Sequence, residues 1–323
     1  MIQGFKILEY NDVQESVINY LQKGDLRGKY LGFPFFDEKY TMALGNCTDW
    51  TGSGGSGKSE FLLELLLNTS LYYGWKHLIY VPDVGSKERI ISVLIHKKTG
   101  KTFDKRYSNF ITEEEVYREL PWILEHFNIL YKQDKKKKIT PYQFWDLAVE
   151  MNNDLIGGIQ TATIDSWKDM KRYVGRDGEA INRDDLYLED VLGYRNDLCD
   201  IHKIHFHIII HPLKTELDKS GVRLPATPYD LKGGTTWYDA GKCMVTVHRV
   251  SGTYNQVKII VTKNKPESVA SMGETEMYFD KKQRRFYWDN AGEKVYADKV
   301  KIQPKALLLN ESVGMFDEYD IPF

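Results

Sequence analysis

The chain has 323 residues, 42% of them hydrophobic and 13% aromatic, with a formal net charge of −2. That length suits one large α/β domain with extensions or two smaller domains, and the near-neutral balance excludes a globally basic nucleic-acid coat, so nucleic-acid contact has to come from a local patch. No apolar run approaches a membrane span, no basic-then-apolar signal opens the chain, and three scattered cysteines (Cys47, Cys199, Cys243) without metal-ligand spacing fit buried thiols in a reducing cytoplasm.

In chain order, residues 11–23 read as a helix capped by Asn11 or Asp12, with Val13, Val17, Ile18 and Leu21 on one face. Glycines and a proline punctuate the connection from Gly28 to Asp37. A β-like segment over Tyr40–Thr48 leads into Gly52-Ser53-Gly54-Gly55-Ser56-Gly57-Lys58-Ser59, which satisfies the G-x-x-x-x-G-K-[ST] pattern in full. In that pattern glycines let backbone N–H groups wrap a triphosphate, Lys58 reaches the β- and γ-phosphates, and the Ser59 hydroxyl joins a Mg²⁺ shell. The apolar-rich Glu60–Tyr73 follows as a helix, whose N-terminus favours anionic phosphate. The motif therefore implies ATP and Mg²⁺ as ligands, with Gly52 through Glu60 forming the cradle.

His77–Val81 reads as a strand ending at Pro82-Asp83, and Ser86 caps a helix reaching about Lys97. Thr112 and Glu115 form a capping box before a helix to about Phe127. A strand over 128–131, a solvated lysine run Lys135–Lys138 and a helix over 140–151 come next. Ile159–Ser166 reads as a buried parallel strand, and Asp165 at its C-terminal end faces the crevice where open α/β sheets place ligands, positioned to hold Mg²⁺ beside Ser59. Ile204–His211 is another clear strand. Alternation puts His205, His207 and His211 on one face but spreads them over about 20 Å, too far for one zinc ion. His211, at the strand end, is the histidine that matters. Leu213–Trp237 is a loop rich in Lys, Gly, Thr and Pro, and Cys243–Arg249 with Val257–Lys263 form a hairpin around Ser251-Gly252. Domain limits fall at 1–27 for an N-terminal helical segment, 28–290 for the catalytic α/β unit and 291–323 for a C-terminal extension.

Taken in order, the phosphate loop, the acidic strand end, His211-Pro212-Leu213-Lys214, Gly233-Gly234 before Trp237 and a hairpin ending Lys263-Asn264-Lys265 resemble a known family. Residues 28–288 resemble the RecA-fold motor domain of DnaB-type and Twinkle-type replicative helicases, especially stand-alone phage versions. The resemblance implies a RecA-like α/β fold with a mostly parallel sheet and a C-terminal hairpin region. It implies a hexameric ring that hydrolyses ATP and moves on single-stranded DNA. Asp83 stands where the family has a Glu that polarises the attacking water, one methylene shorter, with Glu60 as a fallback base. His211 matches the γ-phosphate sensor. The loop after it matches the DNA-binding loop, in which Lys214, Lys219, Arg223 and Lys232 track phosphates while Gly233 and Gly234 permit close approach. Lys242 replaces a family Asp. Lys263 and Lys265 replace a Lys-x-Arg pair whose arginine acts across the subunit interface, and lysine lacks that planar fork; Arg249 is an alternative finger. Two other readings stay open: a strand-exchange ATPase forming filaments, and a slow ATP-gated module that recruits host proteins.

The last ten residues, ending Asp320-Ile321-Pro322-Phe323, resemble the acidic tip of bacterial single-stranded-DNA-binding proteins. Pro322 limits chain entropy, Phe323 can fill an apolar pocket and its carboxylate can pair with a basic rim, so the resemblance implies docking to host replication proteins.

Overall fold

A computed structural model describes residues 6–24, 27–134, 136–154, 158–253, 255–265 and 271–297. The elements in chain order are α1 (Tyr10–Lys23), α2 (Pro34–Asp37), β1 (Cys47–Thr51), α3 (Lys58–Tyr73), β2 (His77–Tyr80), α4 (Lys87–Thr99), α5 (Glu113–His126), β3 (Phe127–Ile129), α6 (Pro141–Asp154) and β4 (Thr161–Asp165). They continue as α7 (Asp184–His202), β5 (His205–Ile209), α8 (Gly234–Ala240), β6 (Cys243–Arg249), β7 (Gln256–Lys263), β8 (Gly273–Asp280), β9 (Arg285–Asn290) and β10 (Glu293–Tyr296). Among the described residues no helix is long and apolar enough to cross a membrane.

The strands form one sheet in the order β10-β9-β8-β7-β6-β1-β5-β4-β2-β3. From β6 to β3 neighbours run parallel, and from β6 to β10 they run antiparallel. β1, β4 and β5 are buried along their whole length, as parallel strands covered on both faces must be. Alternation sends Ile79 into the core shared with α3, α4 and α5, and Leu78 and Tyr80 into the core shared with α6, α7 and α8. α3 is buried without interruption from Phe61 to Ser70, which its Leu-rich sequence allows because no face has to meet water.

Local signals and structure agree closely in the first half. The Ser86 hydroxyl accepts from the Arg89 N–H at 3.4 Å, and Thr112 and Glu115 close a reciprocal box at 3.2 and 3.0 Å. Five differences have physical causes. The β-like segment over Tyr40–Thr48 is strand only from Cys47, because Met42 pairs with Lys29 in an isolated bridge and Gly45 turns the chain at φ 77°. α1 is capped by Glu9, whose N–H donates to Asp12 at 3.0 Å, and its apolar face finds no cover: Val17, Ile18 and Leu21 are exposed. α7 carries so many acidic residues that they mask its apolar stripe in the sequence, although Tyr187, Leu188, Val191, Leu192, Arg195, Leu198 and Cys199 are buried at helical spacing. β8, β9 and β10 extend the sheet as a meander built on Tyr278, Phe279, Phe286, Tyr287 and Trp288. β5 ends at Ile209, so His211 stands beyond the strand, while His205 and His207 are core side chains.

Those two histidines are engaged by their own chain. His205 bonds Thr48 Oγ1 at 2.9 Å and the Ala43 carbonyl at 2.6 Å, and the Trp50 indole donates to His207 Nδ1 at 3.2 Å. Burial pushes both imidazoles below their ordinary pKa, His205 to about 4, so both are neutral.

Candidate nucleotide-binding site

β1 lies between β5 and β6, and the loop 52–57 leaves its C-terminal end to enter α3. Gly52 holds φ 141°, and a Cβ there would meet the Val247 carbonyl oxygen at 2.2 Å, so only glycine lets the loop leave the sheet this close to β6. Lys58 opens α3 and is buried. Its ammonium donates to the Gly52 and Ser53 carbonyls at 2.7 and 2.9 Å. Burial lowers its pKa to about 8, helped by Lys168 and opposed by Asp165. The Ser56 hydroxyl is buried with no hydrogen-bond partner, an orphan that a phosphate oxygen could satisfy.

Register sets the acidic side. Ile209 of β5 pairs with Trp50 on one flank and with Asp165 on the other, so Asp165 stands level with the end of β1, two strands or about 10 Å away. Burial raises Asp165 to about 6, with Asp83 and Asp169 pushing the same way, while a hydrogen bond from Ser59 and the charge of Lys58 pull it down. The Asp165–Ser166 peptide bond is cis. A hydroxyl and converging carboxylates, one of them reluctant to ionise, are the oxygen donors a hard divalent cation prefers. The residues present fit Mg²⁺.

Asp83 sits in the short turn Pro82–Val84 after β2 and pairs with Lys168 at 2.7 Å, both side chains about half exposed. Lys168 and Asp169 belong to the turn Trp167–Asp169 just after β4, where the Ser166 hydroxyl donates to Asp169 at 3.0 Å. His211 is exposed beside them; partial burial and the charges of Lys58 and Lys168 lower its pKa, against Asp83 and Asp169. The structure thus brings Lys58, Ser59, Asp83, Asp165 and His211 to one edge of the sheet. Lys168 and Asp169 join them unforeseen. Their only sequence signal is a Lys-Asp pair directly after the strand that ends in Asp165.

Other candidates are placed differently. Glu60 pairs with Arg284 and with Lys97 at 3.1 Å; burial opposes its ionisation, but the two cations outweigh it and hold it at about 2, too weak a base to take a proton from water. It ties α3 to the β8–β9 turn. Lys263, level with Met244, gives its ammonium to the Tyr238 and Asp239 carbonyls at the end of α8 and is buried within its own chain. Lys265 is exposed, and its carbonyl accepts from Asn46 at 3.1 Å. Asn46 precedes β1, so Lys265 lies at the opposite edge of the sheet from the phosphate loop, roughly 20 Å along the strand direction. Arg249 ends β6 on the phosphate-loop side. Lys242 bonds Asp200 at 2.6 Å and the Gly45 carbonyl at 3.2 Å.

Within the loop after His211, Lys214, Lys219 and Arg223 are exposed on a small hairpin closed by a Leu217–Arg223 bridge. Lys232 is held by Asp184 at 2.8 Å and by the Tyr173 hydroxyl at 2.9 Å. The glycines serve packing: a Cβ on Gly233 would strike Leu188 at 2.4 Å, and one on Gly234 the Pro228 carbonyl at 2.5 Å. Their close approach is to their own chain. The tail residues Asp320, Ile321, Pro322 and Phe323 lie outside the described residues.

The strand order, the loop after β1 and the acidic end of β4 have solved counterparts. One solved helicase ATPase domain superposes with a TM-score of 0.70 at 15% identity, over 87% of this chain and 99% of that one. A DnaB-like replicative helicase, solved with its primase interactions, gives 0.67 at 14% identity, over 87% of this chain and 67% of that one. The fold is RecA-like. No family model and no curated protein matches the sequence.

Proposed function

We propose that this chain hydrolyses ATP with Mg²⁺ to drive translocation along single-stranded DNA, as a hexameric DnaB-type ring helicase in phage DNA replication. The observation that carries this reading is the convergence of Lys58, Ser59, Asp83, Asp165 and His211 at the C-terminal edge of a RecA-like sheet. The backbone of 53–59 and Lys58 would hold the phosphates, and Ser59 with Asp165 would hold Mg²⁺, which supplies charge neutralisation between the phosphates. Asp83 orients the attacking water once Lys168 leaves it, and His211 reads the γ-phosphate into the loop that follows. Lys214, Lys219 and Arg223 meet the DNA backbone.

Lys265, exposed at the edge opposite its own phosphate loop, can complete only a neighbour's site, which calls for a head-to-tail assembly that closes into a ring. The uncovered apolar face of α1 suits burial in the same assembly. Residues 320–323 address host replication proteins that bind single-stranded-DNA-binding-protein tips. Steady-state turnover tests the reading. Lys58→Ala and Asp165→Asn each abolish ATP hydrolysis; unchanged turnover in either variant overturns the site. The pairing of Asp83 with Lys168 favours one alternative, a slow ATPase that mainly recruits partners, and that alternative requires turnover indifferent to single-stranded DNA.

A further inference from the structure

Beside His211 a cavity of about 350 Å³ opens between the turn after β4, the start of α7 and the base of the loop 212–237. Its deep wall is aromatic. Trp167 and Trp237 meet edge to face at 5.2 Å, and Tyr173 lies 5.2 Å from Tyr187. Trp167, Trp237 and Tyr187 are buried, and Tyr173 is half exposed toward the opening. Cations ring the mouth: Lys168, Arg172, whose guanidinium lies over the Tyr173 ring at 5.6 Å, and Lys232. Asp184 also faces the cavity, and Lys232 neutralises it at 2.8 Å.

A stable core has no use for one feature of this wall. Tyr187 is 1% exposed, yet its hydroxyl has no hydrogen-bond partner; the Tyr173 backbone lies near enough to favour its ionised form but without full hydrogen-bond geometry. A buried hydroxyl without a partner is costly, so its retention points to a ligand that supplies one. Aromatic faces, a polar atom at depth and cations at the rim match a nucleobase followed by its phosphate.

We infer that this cavity takes one unstacked nucleotide of a bound single strand, with the base against Tyr173 and its edge at the Tyr187 hydroxyl. The adjoining phosphate meets Arg172 and Lys168. Because Lys168 is also the partner of Asp83, that phosphate competes with Asp83 for the ammonium and frees the carboxylate for water. Occupation of the cavity is thereby linked to hydrolysis. The inference rests on the reading of the chain as a single-stranded-DNA translocase and adds to it a subsite that grips a base as well as the backbone.

The test compares fluorescence-anisotropy affinities of the full chain, with Mg²⁺ and a non-hydrolysable ATP analogue, for oligothymidylate and for the same backbone made abasic. The abasic strand binds roughly tenfold more weakly, as loss of one stacked base requires. Tyr187→Phe narrows that difference several-fold without lowering Tm, since it removes a hydroxyl that bonds nothing in the folded chain; Tyr173→Ala narrows it as well. Free thymidine monophosphate fails to displace the strand at concentrations tenfold above the strand's Kd. Equal affinity for both strands, an undiminished difference in Tyr187→Phe, or displacement by the free nucleotide overturns the subsite while leaving the translocase reading in place. Failure to bind either strand overturns both.

Discussion

Glu64, Lys97 and Arg285 form an ion-pair network sealed between α3, α4 and β9, whereas Asp83 and Lys168 meet in the open at the edge of the sheet. In the network, Arg285 bonds Glu64 at 2.7 Å, Lys97 reaches Glu64 at 3.5 Å and Glu60 at 3.1 Å, and the Phe286 N–H donates to Glu64 at 2.9 Å. Glu64 and Lys97 are fully buried. Removing one partner there strands a charge without water. The Asp83–Lys168 pair is about half exposed, and such pairs contribute about 1 kcal/mol or less. One cluster fastens the antiparallel meander to the phosphate-loop helix; the other can exchange partners during a catalytic cycle. Similar residue types take opposite roles because burial, more than charge, decides what an ion pair can do.

Breaking the sealed network gives the largest effect. Glu64→Ala leaves Arg285 without its carboxylate and lowers unfolding free energy by about 3–5 kcal/mol in urea titration. A loss under about 1 kcal/mol removes the contrast. Asp165 sharpens it from the other side. Its folded pKa is raised to about 6, above its ordinary value of 3.8, so its contribution to stability is fully present below that unfolded value and is lost as pH rises through about 6. Asp165→Asn therefore raises Tm at pH 7.5 and flattens the decline between pH 4 and 6.5, while removing any stabilisation by Mg²⁺. A lower Tm at pH 7.5 contradicts this. Lys263→Ala forfeits buried hydrogen bonds to the end of α8, at about 1–2 kcal/mol, and Lys265→Ala changes stability little. Only Lys265→Ala, mixed with Lys58→Ala protein, regains turnover through hybrid interfaces. The smallest stability change belongs to Lys168→Ala, within about 1 kcal/mol, but its DNA-free turnover exceeds that of the unaltered chain.

The phosphate loop and the strands that deliver Asp165 and His211 were legible because local rules fix them: glycine spacing, apolar runs, a cap at Ser86 and a box at Thr112. What the sequence hid depends on tertiary contact. Lys168 and Asp169 gain meaning only because register sets β4 beside β2. Glu60 looked like a spare base until Lys97 and Arg284, distant in sequence, claimed it. Gly233 and Gly234 looked like openings for DNA and instead accommodate Leu188 and Pro228. Lys232 looked free and is tied to Asp184 and Tyr173. In each case the residue type was read correctly, and its partner decided the role.

Strand displacement on a forked duplex with a single-stranded 5′ or 3′ arm tests most directly whether the convergence at this edge of the sheet drives a helicase. Displacement on one of the two forks, dependent on ATP and Mg²⁺ and lost in Lys58→Ala, is the expected result. ATP hydrolysis by the unaltered chain with no displacement on either fork would contradict the helicase.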